Sequence, residues 1–259
     1  MGALNDAAQV RAQYATAEKL NQRISIHAKY SRNRQGFSAW IGTHYPVFPE
    51  MEVLELGCGT GAAWRGLSEI VEQASRIVLT DFSEGMLEKA RDTLDGIMKI
   101  EFAVADIQDI PYADISFDLV IANMMLYHVP DIRKALREVR RVLRPGGTFV
   151  CATYGENGIM EYLAGLFRDH GVREEANHTF TLQNGRTQLE RVFESVHRFD
   201  YDDALEVTDV SDLADYIYSL TGMSSLRALP RETVLEVLKR AQVDGVLHVP
   251  KEYGLFLAK

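Results

Sequence analysis

Three glycines spaced two apart, Gly57, Gly59 and Gly61, follow the short run Val53-Leu54-Glu55-Leu56. Residues without a β-carbon at that spacing let a chain leave a strand, turn tightly and offer backbone N–H groups to a ligand. Gly57, Gly59 and Ala62 also satisfy the looser G-x-G-x-x-G/A fingerprint. The loop by itself therefore fits either a dinucleotide pyrophosphate or something smaller. Downstream come two carboxylates, Asp81 and Asp106, an amide, Asn123, and an imidazole, His128. Asp81 lies at the distance past the loop where an acidic residue can accept both hydroxyls of a ribose. An unperturbed imidazole titrates in the right range to take a proton from an attacking hydroxyl, so His128 either does this or orders the loop before Pro130. Cys58, between two glycines with no base identifiable beside it, reads as a small packing residue.

These residues need elements to hold them. Strands are expected at 52–56, 76–80, 100–104, 117–122 and 148–153, each a short apolar run. Helices are expected between them, through about residue 72, at 84–94 with Ser83 as N-cap, and at 131–143. Arg137, Arg140, Arg141 and Arg144 suit the C-terminal end of the last of these, before Pro145-Gly146-Gly147 breaks it. Such a succession implies a doubly wound, mostly parallel sheet with right-handed crossovers. Ligands bind such sheets beyond the carboxyl ends of the strands. The glycine loop, Asp81, Asp106 and Asn123 all fall at strand ends, around one crevice.

The flanks are less regular. Val10, Tyr14, Ala17, Leu20 and Ile24 recur at helical spacing over 5–29, and 38–45 reads as a further short helix before Pro46. Beyond 154, helices are expected at 158–169, 186–193, 209–220 and 230–242, with strands at 194–201 and 253–258 forming a closing antiparallel hairpin. The expected organisation is an N-terminal helical lid (1–46), a ligand-binding core (47–154), and a helical cap with the final strands (155–259). Tyr162, Phe167, Phe180, Tyr216, Tyr218 and Met223 of the cap either line a pocket or hold its helices down.

Composition narrows the class. The chain has 259 residues, 46% of them hydrophobic and 25% charged, ordinary for a soluble globular protein that needs no staple. A net charge of −9 with no basic run makes nucleic acid a poor partner. The two cysteines, Cys58 and Cys151, lack metal-ligand spacing and suit a reducing compartment, so a cytoplasmic location is expected. No signal peptide or membrane span is apparent, and no metal or membrane association is expected.

The stretches ELGCGTG (55–61), LTDFSEGML (79–87), VADIQDIPY (104–112), FDLVIANMMLYHVPD (117–131) and LRPGG (143–147) occur in an order that resembles the class I S-adenosylmethionine-dependent methyltransferases of small-molecule type. The resemblance is strong over 50–154 and weak in the flanks. It implies a seven-stranded Rossmann-like sheet with helices on both faces. It also implies S-adenosyl-L-methionine as cofactor and transfer of its methyl group to an O, N or C atom of a small molecule. On that resemblance Gly57, Cys58, Gly59 and Gly61 cradle the methionine end, and Glu55 faces its amino group. Asp81 takes the ribose, Phe82 and Met86 lie along the adenine, and Asp106 and Ile107 take its amino group and face. Asn123 sits close to the methyl group, and Tyr14 and Tyr30 of the lid touch the cofactor. The sequence after Asn123 is Met-Met-Leu, which departs from the Asn-Pro-Pro-Tyr pattern of nucleic-acid and protein methyltransferases. Trp64 is expected in the core. Two other readings stay open from the residues alone, an NAD-dependent oxidoreductase and a cofactor-binding module without catalysis.

Overall fold

A computed structural model describes residues 25–97, 99–220 and 222–259. Among these, seven strands form one sheet: β1 (Glu52–Leu56), β2 (Arg76–Asp81), β3 (Ile100–Val104), β4 (Phe117–Ile121), β5 (Leu143–Tyr154), β6 (Val196–Val207) and β7 (Leu247–Ala258). Their order is β3-β2-β1-β4-β5-β7-β6. The first five run parallel, and β7 is antiparallel to both of its neighbours. The topology reverses between β1 and β4, the place where open α/β sheets leave a crevice. The expected α/β class and mostly parallel seven-stranded sheet are both found.

Both faces of the parallel part are covered, which is why β1 and β2 read as almost unbroken apolar runs. Val53, Leu54, Ile77, Val78 and Leu79 have no exposed surface. The helices are α1 (Phe37–Gly42), α2 (Ser68–Gln73), α3 (Glu84–Thr93), α4 (Ile132–Val142), α5 (Ile159–Leu166), α6 (Gly185–Leu189), α7 (Val210–Ser219), α8 (Ser224–Arg227) and α9 (Arg231–Ala241). In α4, Ala135, Leu136, Val139 and Val142 fall on one stripe and are buried. Asp131 caps it by accepting from Lys134 N at 2.9 Å.

Three local expectations are corrected. The helix after the glycine loop is split into a 3-10 turn, Ala62–Gly66, and α2, because Leu67 leaves helical geometry at φ −109°, ψ 44°. Ser83 occupies the N-cap of α3, but its side chain makes no capping bond; its N–H instead donates to Asp81 Oδ1 at 2.8 Å. The closing strands are longer than read, 12 residues each. Pro250 lies inside β7 because only Tyr253–Ala258 pair with β5, so one side of Leu247–Glu252 needs no ladder donors.

The unshared halves of β6 and β7 carry their own core. Leu205, Val207, Leu247 and Val249 pack there with Leu213, Ala214 and Ile217 of α7 and Val234 and Leu238 of α9. Residues 25–30 are helical and add Ile26 and Tyr30 to the same cluster. From the cap, Phe167, Phe180 and Met223 are wholly buried packing residues. Tyr14 and most of the expected lid helix lie outside the described residues.

Candidate functional site

A cavity of about 950 Å³ opens at the carboxyl ends of β1–β4. Its floor is the glycine loop. Gly57, Gly59 and Gly61 all have positive φ, at 76°, 58° and 69°. A β-carbon on Gly61 would come within 2.8 Å of Leu94 Cδ1, so that glycine lets the loop sit on α3. A β-carbon on Gly59 would meet nothing within 4 Å. Gly59 therefore faces open space in the cavity wall, where a ligand can come against backbone.

Two carboxylates border the floor. Asp81, at the end of β2, accepts from Gly59 N at 3.0 Å and from Ser83 N at 2.8 Å. Burial raises its pKa, against the opposing effect of those backbone donors. Asp106 follows β3 and accepts from Gln108 N at 2.8 Å. Phe82, Met86 and Ile107 add apolar wall beside them. Among the described residues no group of His, Cys, Asp and Glu could hold a metal ion.

Behind the floor lies a third, hidden acid. Glu55 is 5% exposed and accepts from Trp64 Nε1 at 2.5 Å. Burial pushes its pKa up to about 7; the indole donor opposes the rise and the charge of Asp81 adds to it. Cys58 is pushed up as well, first by burial and then by Glu55 and Asp81, the opposite of what activates a thiol. At the end of β4, Asn123 Nδ2 donates to Tyr45 Oη at 2.6 Å, while its Oδ1 is buried with no partner among the described residues. The next residue, Met124, takes φ 54°, a conformation long side chains rarely adopt, and lines the cavity.

The opposite wall is aromatic. His128 contacts Tyr127 with ring centroids 4.5 Å apart, and Tyr127 contacts Tyr154 at 4.7 Å. Tyr154 pairs across the sheet with Tyr253, whose ring is 5.9 Å from that of His27. His27 in turn meets Tyr216 edge-on at 6.1 Å. All six side chains line the cavity.

This wall is fixed by strand alternation. Lys251 and Tyr253 are two apart on β7 and share a face, opposite Asp203 and Tyr201 on β6. Lys251 and Asp203 form an ion pair whose side chains are 2% and 0% exposed. Ser31 Oγ accepts from Lys251 Nζ at 2.9 Å and donates to Asp203 Oδ2 at 2.8 Å. Asn33 N donates to Asp203 Oδ1 at 2.9 Å, and Arg32 N to Ala204 O at 2.9 Å. Residues 27–37 are thereby pinned along the cavity as one of its sides. Burial, with the charge of Lys251 nearby, lowers the His27 pKa to about 3, against a weaker opposing effect of Asp203.

The cavity thus brings together Gly57, Gly59, Asp81, Phe82, Met86, Asp106, Ile107 and His128 of the residues expected from sequence. Glu55, Cys58, Gly61 and Asn123 stand behind or beside it. Tyr30 faces away, with its hydroxyl donating to Asp212. His27, Lys251 and Tyr253 were not singled out as site residues. The alternation of Lys251 with Tyr253 is the signal that could have found two of them.

A family model described as a methyltransferase domain matches residues 54–151. Over 184 residues the chain is 34% identical to a malonyl-[acyl-carrier protein] O-methyltransferase of Geobacter sulfurreducens, covering 69% of this chain and 67% of that one. Over 109 residues it is 41% identical to a demethylmenaquinone methyltransferase of Clavibacter sepedonicus, covering 42% and 43%. The chain thus spans less than half the length of that second relative. The crystal structure of the [4+2]-cyclase SpnF superposes with a TM-score of 0.61 at 17% identity, covering 98% of this chain and 96% of that one, a likeness of fold.

Proposed function

The chain belongs to the class I S-adenosylmethionine-dependent methyltransferases, and on that premise we propose that it methylates an O, N or C atom of a small molecule. One observation carries the reading. The glycine floor, the two strand-end carboxylates and the aromatic wall all face a single cavity of about 950 Å³. That volume lies at the upper end of small-ligand sites, roughly 300–1,000 Å³, with room for a nucleoside cofactor and a compact acceptor side by side.

The residues fit the cofactor. Gly59 leaves backbone bare toward the cavity, Asp81 and Asp106 offer oxygens to hydroxyl and amino donors, and Phe82, Met86 and Ile107 supply apolar faces for a base. When bound, S-adenosylmethionine supplies a methyl group on a positively charged sulfur, already activated for displacement. The protein's own task is then to align the acceptor, exclude water and hold any proton released. His128, on the cavity wall in the 3-10 turn Leu126–His128 that follows β4, would hold such a proton from a hydroxyl acceptor.

The first test is calorimetric titration with S-adenosylhomocysteine and, separately, with NADH. Binding of the former and none of the latter is expected; binding of NADH alone would overturn the reading. A screen over metabolite pools for products heavier by one methyl group then looks for the acceptor. Cofactor binding with no product across a broad panel would leave a binding module in place of an enzyme.

A further inference from the structure

The acceptor end of the cavity has a marked charge. Beyond Asp81 and Asp106, five glutamates line it: Glu156, Glu161, Glu174, Glu175 and Glu252. They come from separate elements, the end of β5, α5, the 171–178 loop and β7. The cationic side chains on the same wall are Arg34, which is exposed, and Lys251, which is already committed to Asp203. For Glu175, burial works against ionisation, but donors from Ser224 and Ser225 outweigh it and hold the pKa below the ordinary value. Glu156 accepts from Thr181 Oγ1 at 2.7 Å, a neutral donor that fixes the carboxylate without cancelling its charge, while Glu252 accepts from Asn157 N at 2.7 Å and is partly offset by Arg198, 3.9 Å away.

A second observation is independent of these acids. The Nδ1 atom of His27 is buried without a hydrogen-bond partner among the described residues, on a side chain that lines the cavity between Tyr216 and Tyr253. A buried acceptor nitrogen left unmatched by protein is a place for a ligand N–H or O–H. Ring faces of Tyr127, Tyr154 and Tyr253 nearby attract cations through their quadrupoles.

Resting on the methyltransferase reading above, we propose that the methyl acceptor is an amine that enters as its ammonium ion, held by the glutamate-lined, aromatic end of the cavity with His27 accepting one N–H. A carboxylate acceptor would meet the same negative field and be disfavoured. Once seated, the ammonium gives one proton to a lining glutamate carboxylate, and the freed nitrogen lone pair forms the new bond to the methyl carbon. The carbon–sulfur bond breaks with its electron pair remaining on sulfur.

The test uses the full chain saturated with S-adenosylhomocysteine, titrated by calorimetry with 2-phenylethylamine, 2-phenylethanol and 3-phenylpropionate. These probes share an aromatic body and differ in charge. The ammonium is expected to bind at least about tenfold tighter than the alcohol, with the carboxylate weakest. Added salt should erode that preference. Glu161→Gln, at an exposed position of the wall, should weaken the amine several-fold without changing affinity for 2-phenylethanol, and His27→Phe should weaken the amine several-fold. Equal or tighter binding of the alcohol or the carboxylate, or no binding of the amine, would overturn the proposal. Failure to bind S-adenosylhomocysteine in the first place would instead strike the methyltransferase reading, so the two failures are distinguishable.

Discussion

At the scale of single residues, Glu55 shows how a charge can serve a site without touching its ligand space. Its ordinary pKa of 4.5 rises to about 7 in the folded chain. Between those values the folded state holds a proton that the unfolded state has released. Stability contributed by this group is therefore present at low pH and lost as pH rises toward 7. The interval is worth about 3 kcal/mol. Glu55→Gln, which still offers an oxygen to Trp64, should flatten this fall between about pH 4.5 and 7, as read by urea unfolding at several pH values. An unchanged slope in the variant would place the proton elsewhere. Glu55 was visible in the sequence as a carboxylate interrupting an apolar strand, and its resemblance-based role was to face a cofactor amino group. Its partner within the chain is Trp64, nine residues on, and a 3-10 turn that periodicity does not announce brings the indole to one of its oxygens.

Elements tell a different story. The first four strands were legible because each is short and apolar; of β5 only 148–153 was, because Pro145-Gly146-Gly147 reads as a break although the strand runs from Leu143 to Tyr154. β7 was only half legible. Pro250 looks like a breaker, and it is tolerated because Leu247–Glu252 have a strand on one side only. Lys251 and Tyr253 thus escaped notice, and with them the anchoring of residues 27–37. That anchoring is testable. Lys251→Met leaves the Asp203 carboxylate buried without its cation and should cost about 3–5 kcal/mol. Urea denaturation measures the loss. Hydrogen exchange at Arg32 and Asn33, whose amides bond to Ala204 and Asp203, should accelerate alongside it. Lys251→Met combined with Asp203→Leu should recover much of the stability, since no charge is then stranded. A single variant as stable as the parent would show the pair to be dispensable.

For the molecule as a whole, a ligand that binds only the folded chain stabilises it by mass action. At a hundredfold excess over its dissociation constant, S-adenosylhomocysteine should add about 2.7 kcal/mol. For a chain of this size that corresponds to a rise in Tm of roughly 5–10 °C, readable by scanning calorimetry. NADH at equal concentration should leave Tm unmoved.

The two ends of the cavity also differ in parentage. Gly57, Gly59, Asp81 and Asp106 lie within the span 54–151 that matches the family model, whereas His27, Tyr154, Glu161, Tyr216 and Tyr253 all lie outside it. On the proposed reading, cofactor binding is written within that span and acceptor choice largely outside it, Tyr127 and His128 excepted, in stretches that meet only in three dimensions. Exchange of the flanking segments offers a route to retarget the enzyme: a swap of the 25–37 and 155–259 regions between relatives could change what is methylated while the donor stays the same.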